Sequence, residues 1–156
     1  MRVRVVDGNL LEQDVEVIVN AWNRNVFPWW LLLPQGVSGA IKKQGGAQLF
    51  RELSGRGVLE LGQAVLTGAG ELPFRGIIHV AGIGLLWRAS QRSIALSVRN
   101  AIELAEREAF GSIAFPLIGA GTGGVPAAQA ESVMLATLAS LQFTSRVTIV
   151  RYRRRS

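Results

Sequence analysis

The sequence predicts an α/β sandwich, on three patterns in the chain. Short, solidly apolar runs such as Val17-Ile18-Val19 read as strands buried on both faces. Longer segments between such runs repeat apolar residues at helical spacing. Glycine turns sit where strand candidates give way to helix candidates.

Taken in order, residues 2–6 (Arg-Val-Arg-Val-Val) alternate as an edge or half-covered strand does. Val17-Ile18-Val19 follows as a buried strand. A helix is expected from Ser38 to Glu52, with Ala40, Ile41, Ala47 and Phe50 inward. Ala64-Val65-Leu66-Thr67 is a less apolar strand candidate, and Ile77-Ile78-His79-Val80-Ala81 a stronger one. From Ser90 to Ala109 the apolar positions Ile94, Val98, Ala101, Ile102, Ala105 and Ala109 trace one helical face. Glu103 and Arg107 stand four apart on the other face. Ile113 to Ile118 forms the next strand and runs into glycines. A second long helix opens with Pro126 in its first turn, where a missing N–H costs nothing. It carries Ala130, Val133, Met134, Leu138 and Leu141 inward, and Val147-Thr148-Ile149-Val150 closes the set.

The 156 residues are one domain's worth of chain, 49% hydrophobic and 18% charged, which excludes a disordered protein. No linker, repeat or low-complexity tract divides residues 1–156. The absence of cysteine removes disulfides, thiolate nucleophiles and the usual zinc cages. With His79 the single histidine, a histidine-based metal site is also out, and neither metal nor cofactor is expected. A net charge of +6 and a pI near 11.2 point to an anionic ligand or partner. The mean hydropathy is +0.28, yet the uncharged stretch 25–41 is broken by Pro28, Pro34, Gly36 and Gly39. No apolar span of about 20 residues results. The N-terminus lacks the apolar centre of a signal peptide, so the expectation is a cytoplasmic protein without membrane contact.

In open α/β sheets, ligands sit at the carboxyl ends of the strands. After the second strand comes Asn20-Ala21-Trp22-Asn23-Arg24-Asn25, and after the fifth comes Gly119-Ala120-Gly121-Thr122-Gly123-Gly124-Val125-Pro126. Gln35-Gly36-Val37-Ser38-Gly39 opens the first helix. A glycine turn running into a helix offers unblocked N–H groups beside the positive end of a dipole, which suits phosphate. Two such turns suit two linked phosphates. Gly119, Gly121 and Gly124 fit the dinucleotide-binding fingerprint, but the acid expected about 20 residues later is missing from Ala139–Thr144. The loop also follows the fifth strand instead of the first. A Gly-Lys-Ser/Thr loop is absent as well.

Five segments together resemble a macrodomain. They are Gly8-Asn9-Leu10-Leu11, Glu16-Val17-Ile18-Val19-Asn20-Ala21-Trp22-Asn23, Gly36-Val37-Ser38-Gly39-Ala40-Ile41, Ile78-His79-Val80-Ala81-Gly82, and Ala114 through Pro126. They stand in the family's order and spacing and cover nearly the whole chain. The resemblance implies a three-layer α/β/α sandwich with a mixed six-stranded sheet, and ADP-ribose as ligand. It implies that Asn9 takes the place of the family's adenine-binding Asp, with the Leu10 N–H serving a ring nitrogen. The competing reading of Asn9 is an Asx-turn after Gly8. Asn20 and Asn23 match the two asparagines of the family's Asn-Ala-Ala-Asn motif. Asn23 would meet the distal ribose, while Asn20 also reads as a structural bond that holds the loop. Gly36, Val37, Ser38 and Gly39 match the first diphosphate loop. Gly119, Gly121, Thr122, Gly123, Gly124 and Val125 match the second.

Some positions depart from the family pattern or lie outside it. Trp22 replaces a small residue. Trp29 and Trp30 either stack on the distal end of the ligand or cover the sandwich edge. Tyr152 either stacks on adenine or is a plain surface tyrosine, and His79 reads as structural. One hydrolase branch of the family carries an acid where this chain has Ser38. Another uses a lysine near the fourth strand, and residues 77–86 contain none. The remaining catalytic route is water held by Asn23, Ser38 and a ligand phosphate. The resemblance thus implies an ADP-ribosyl hydrolase acting on ADP-ribosylated protein or nucleic acid, with a non-catalytic ADP-ribose reader as the alternative. A third reading is nucleic-acid binding through the basic tail at 151–156, where four of six residues are arginine.

Overall fold

The computed structural model describes residues 3–23, 62–83, 90–120 and 124–152. Six strands form one mixed sheet: β1 (Val3–Gly8), β2 (Val17–Asn23), β3 (Ala64–Thr67), β4 (Gly76–Ile83), β5 (Ser112–Pro116) and β6 (Arg146–Tyr152). Their order is β1-β6-β5-β2-β4-β3, with β3 antiparallel to β4 and the other neighbours parallel. A 3-10 turn, Leu10–Glu12, follows β1. Two helices, α1 (Gln91–Arg107) and α2 (Ala127–Ala139), follow β4 and β5. The expected helix 38–52 lies outside the described residues. Among the described residues, no helix is long and apolar enough to cross a membrane.

The pleat splits the core in two, because successive side chains point to opposite faces. Val17 and Val19, Ile78 and Val80, Ile113 and Phe115, and Val147 and Ile149 pack with α1 and α2. Ile18, Ile77, Ala81, Ala114 and Val150 face the other way, onto Leu10, Leu11, Ala69 and Leu72. Every residue of β5 is buried, as its unbroken apolar run requires.

The elements differ from expectation mainly at their ends. β2 runs through Asn23 instead of stopping at Val19, because β4 stays paired with it that far. β5 stops at Pro116, before Leu117 and Ile118. Pro126 is the N-cap of α2 and stands just outside the helix. β6 includes Arg151 and Tyr152, which therefore belong to the sheet and not to a tail. Ser90 caps α1, its hydroxyl accepting from the Ser93 N–H at 3.1 Å while Ser93 Oγ accepts from the Ser90 N–H at 2.8 Å. At the other end Ala109, expected on the buried face, has left the helix and is exposed with φ 59°. The Ala109 N–H donates to Glu106 O at 3.1 Å and the Phe110 N–H to Ala105 O at 3.0 Å, a Schellman closure normally made by glycine.

An L-residue in this left-handed conformation costs roughly 1–2 kcal/mol, and the freedom glycine adds to the unfolded chain returns part of that. Ala109→Gly should therefore raise the unfolding free energy by about 0.5–1 kcal/mol, read as a higher urea midpoint at unchanged slope.

Candidate functional site

The parallel strands β1, β6, β5, β2 and β4 send their carboxyl ends to one edge of the sheet. From β2 the chain proceeds toward β3 and β4, and from β5 it proceeds toward β6, so the direction of winding switches between β2 and β5. A crevice is expected at such a point. The ladder is shortest there: β2 pairs with β5 at Val17↔Ile113 and Ile18↔Ala114. β5 stays with β6 up to Pro116↔Val150, and β2 stays with β4 up to Asn23↔Ile83. The two central strands thus part in mid-sheet. On the β2 side the register shifts between Ala21 and Asn23, a bulge of the kind that re-aims a side chain.

On the β5 side, the segment after the strand turns at Gly119, whose φ of 86° favours glycine. The Val125 N–H donates to Gly119 O at 3.0 Å and closes the loop, with Gly124 also left-handed at φ 77°. A Cβ at Gly124 would meet nothing within 4 Å, so glycine stands there for its backbone and not for space. Immediately beyond, the N-cap Pro126 makes no side-chain cap bond and the first turn of α2 holds no acid. The opening N–H groups of α2 have no intrahelical acceptor, and an anion at this edge would meet them and the positive end of the dipole.

At the β1 end, Asn9 caps the 3-10 turn, its Oδ1 accepting from the Leu11 N–H at 2.9 Å. This is the Asx-type role, and it leaves Oδ1 a second lone pair. The Gln13 side chain donates to the Asn9 carbonyl at 2.9 Å and steadies the turn. Leu10 buries its side chain, and as the first residue of the turn its N–H has no acceptor within the turn. Tyr152 is 67% exposed and lies opposite Gly8 in the ladder, so no side chain from its partner covers the ring. Its neighbour Arg151 is engaged: Nη2 donates to Glu131 Oε2 at 2.9 Å, Nε donates to Oε1, and Asp7 lies 3.8 Å away. The bonded guanidinium holds the Glu131 carboxyl below the usual range. Arg151 is thereby tied to α2 and β1.

Asn20 is buried, 0% exposed, with its Nδ2 3.1 Å from His79 Nδ1. Thr67 Oγ1 lies 2.9 Å from His79 Nε2 and 2.9 Å from Gly68 O. A hydroxyl has one proton, and donation to Gly68 O leaves Thr67 to accept from His79 Nε2–H. His79 Nδ1 is then bare and accepts from the Asn20 amide. Nothing in the spacing of positions 20, 67 and 79 announces this chain; the available signal was a polar residue inside each of three apolar strands. Asn20 thus faces into the sheet on its own account, while Asn23 stands at the strand end. Trp29, Trp30, Gly36, Val37, Ser38, Gly39, Gly121, Thr122 and Gly123, and the arginines after Tyr152, lie outside the described residues.

Burial pushes the His79 imidazole down to about 3. The folded protein therefore keeps this ring neutral while the unfolded chain binds a proton below pH 6.5, so acidification favours unfolding. Between pH 7.5 and 5, above the carboxylate range, the unfolding free energy should fall by about 2 kcal/mol through this group. A His79→Asn variant should lack that component, as denaturant titrations at both pH values would read.

Residues 19–134 match the family model described as Macro domain. An O-acetyl-ADP-ribose deacetylase of Salmonella typhimurium is 35% identical over 147 residues, covering 88% of this chain and 77% of that protein. A macro domain-containing protein of Listeria monocytogenes is 37% identical over 146 residues, covering 88% and 79%. Among solved structures, the Oceanobacillus iheyensis macrodomain carrying G37V, with ADP-ribose, superposes with a TM-score of 0.82 at 29% identity, covering 96% of this chain and 84% of that one.

Proposed function

The chain belongs to the macro domain family, and on that premise we propose that it binds ADP-ribose and hydrolyses the bond joining ADP-ribose to an esterified acceptor. The observation that carries the binding half is the switch of winding between β2 and β5, where their ladder is short and the Val125 N–H closes on Gly119 O. The diphosphate would lie against the glycine backbone and the uncapped start of α2. Adenine would lie toward Asn9, Leu10 and Tyr152, and the distal ribose toward Asn23. Gly36 to Gly39 would close over the diphosphate from the other side. The solved relative with ADP-ribose supports this ligand.

The hydrolytic half is supported by the relative named as a deacetylase of O-acetyl-ADP-ribose, an ester by its name. Water held between Asn23, Ser38 and a ligand phosphate attacks the ribose anomeric carbon. The bond from that carbon to the acceptor oxygen breaks, and the acceptor leaves as a carboxylate. The water's proton passes to the phosphate or to solvent. A carboxylate departs without acid catalysis, so positioning supplies most of what the site must give. A base-linked acceptor on nucleic acid would need more help in leaving, which makes the protein ester the preferred substrate. The second reading is an ADP-ribose reader without catalysis. It is favoured by the absence of any carboxylate or lysine in residues 20–25, 36–39 and 119–125.

Calorimetry with ADP-ribose should give saturable binding to the wild type and none to Gly123→Glu, whose carboxylate would face the diphosphate. Equal binding by both would discard the loop assignment. Tyr152→Ala should weaken binding about tenfold through lost stacking. Incubation with an ester-linked ADP-ribosyl peptide should release ADP-ribose, at a rate reduced at least about tenfold in Asn23→Ala. Binding with no release from ester or base linkages would establish the reader instead.

A further inference from the structure

Asn9 has a defined task inside the fold. Its Oδ1 accepts from the Leu11 N–H at 2.9 Å and caps the turn after β1. A backbone N–H can only donate, so the atom turned to it is the amide oxygen and not the amide nitrogen. Asp would cap such a turn equally well. The two side chains differ in the atom left over. Once one oxygen of a carboxylate has capped, the second is a further acceptor and shares the negative charge. Once the oxygen of an amide has capped, the remaining atom is Nδ2, with two protons to donate. Among the described residues the Asn9 Nδ2 donates to no group, and the residue is only half-buried.

The difference is felt at the 6-position of a purine. Adenine carries an amino group there, a donor, whereas hypoxanthine and guanine carry a carbonyl, an acceptor. A carboxylate accepts from the amino group and repels the carbonyl. The Asn9 amide can serve either, with the spare lone pair of Oδ1 for an amino group and Nδ2–H for a carbonyl. The neighbouring groups do not restore the choice. Tyr152 is exposed, and an aromatic ring stacks on the face of any base. The Leu10 N–H would find a bare acceptor in N7 of either kind of purine. We infer that Asn9 makes the base end of the site permissive, so that it takes the 6-oxo purine counterpart of ADP-ribose alongside ADP-ribose itself. This rests on the proposed binding of ADP-ribose with its base toward Asn9.

The test is calorimetry with ADP-ribose and with its hypoxanthine counterpart, inosine diphosphate ribose. For the wild type the two dissociation constants should lie within about fivefold of each other. In Asn9→Asp, which keeps the cap, their ratio should move at least about tenfold in favour of ADP-ribose. A new negative charge near a diphosphate weakens both ligands, so the ratio is the readout and neither constant alone. A wild-type preference for ADP-ribose beyond that fivefold range, or a ratio that Asn9→Asp leaves unchanged, would overturn the inference and leave ADP-ribose binding intact. A wild type that binds neither ligand would overturn both.

Discussion

The site depends on the parting of β2 from β5. A parallel sheet normally gains by continuing its ladder, and here the central pair gives up its bonds after Ile18 and Ala114. Each strand keeps its outer neighbour, so the cost falls on the two facing edges alone. The carboxyl ends of both strands lie on the edge of the sheet where the winding switches.

The charge of the molecule takes a different place in this picture from the one composition suggests. A net +6 invites an account in which arginines hold an anion. Among the described residues the arginine at the end of β6 is already engaged, with Glu131 on one side and Asp7 on the other. Among the described residues at this edge, the backbone is shaped by left-handed Gly119 and Gly124 and leads to the uncapped start of α2. Neutral donors fixed in place select an anion by geometry, and they lose less to salt than a mobile side chain would.

How much of this was legible beforehand depended on how local each signal is. β5 and the first residues of β2 and β4 announced themselves because burial on both faces writes an unbroken apolar run. α1 and α2 did so through their period. The continuation of β2 through Asn20, Ala21, Trp22 and Asn23 did not, because a strand end that lines a site carries polar residues and is extended by its partner. Ala109 was misplaced for a related reason: its methyl suits a helix face, and only the closure at Phe110 shows that the helix has ended. The antiparallel sense of β3 and the parting of β2 from β5 were invisible, since pairing partners lie dozens of residues apart. The glycines after β5 were the best local guide to the site, because a left-handed backbone writes glycine into the sequence.

Asn20 and Asn23 show how one short motif divides its labour. They are three residues apart, of the same type, and a strand would ordinarily turn their side chains to opposite faces. Asn20 is wholly buried and spends its amide on a neutral histidine. Asn23 follows a register shift at the open end of the strand. The first asparagine is thus part of the fold, a buried polar side chain kept by a partner within hydrogen-bond reach. The second ends the ladder with β4, where the strand leaves the sheet.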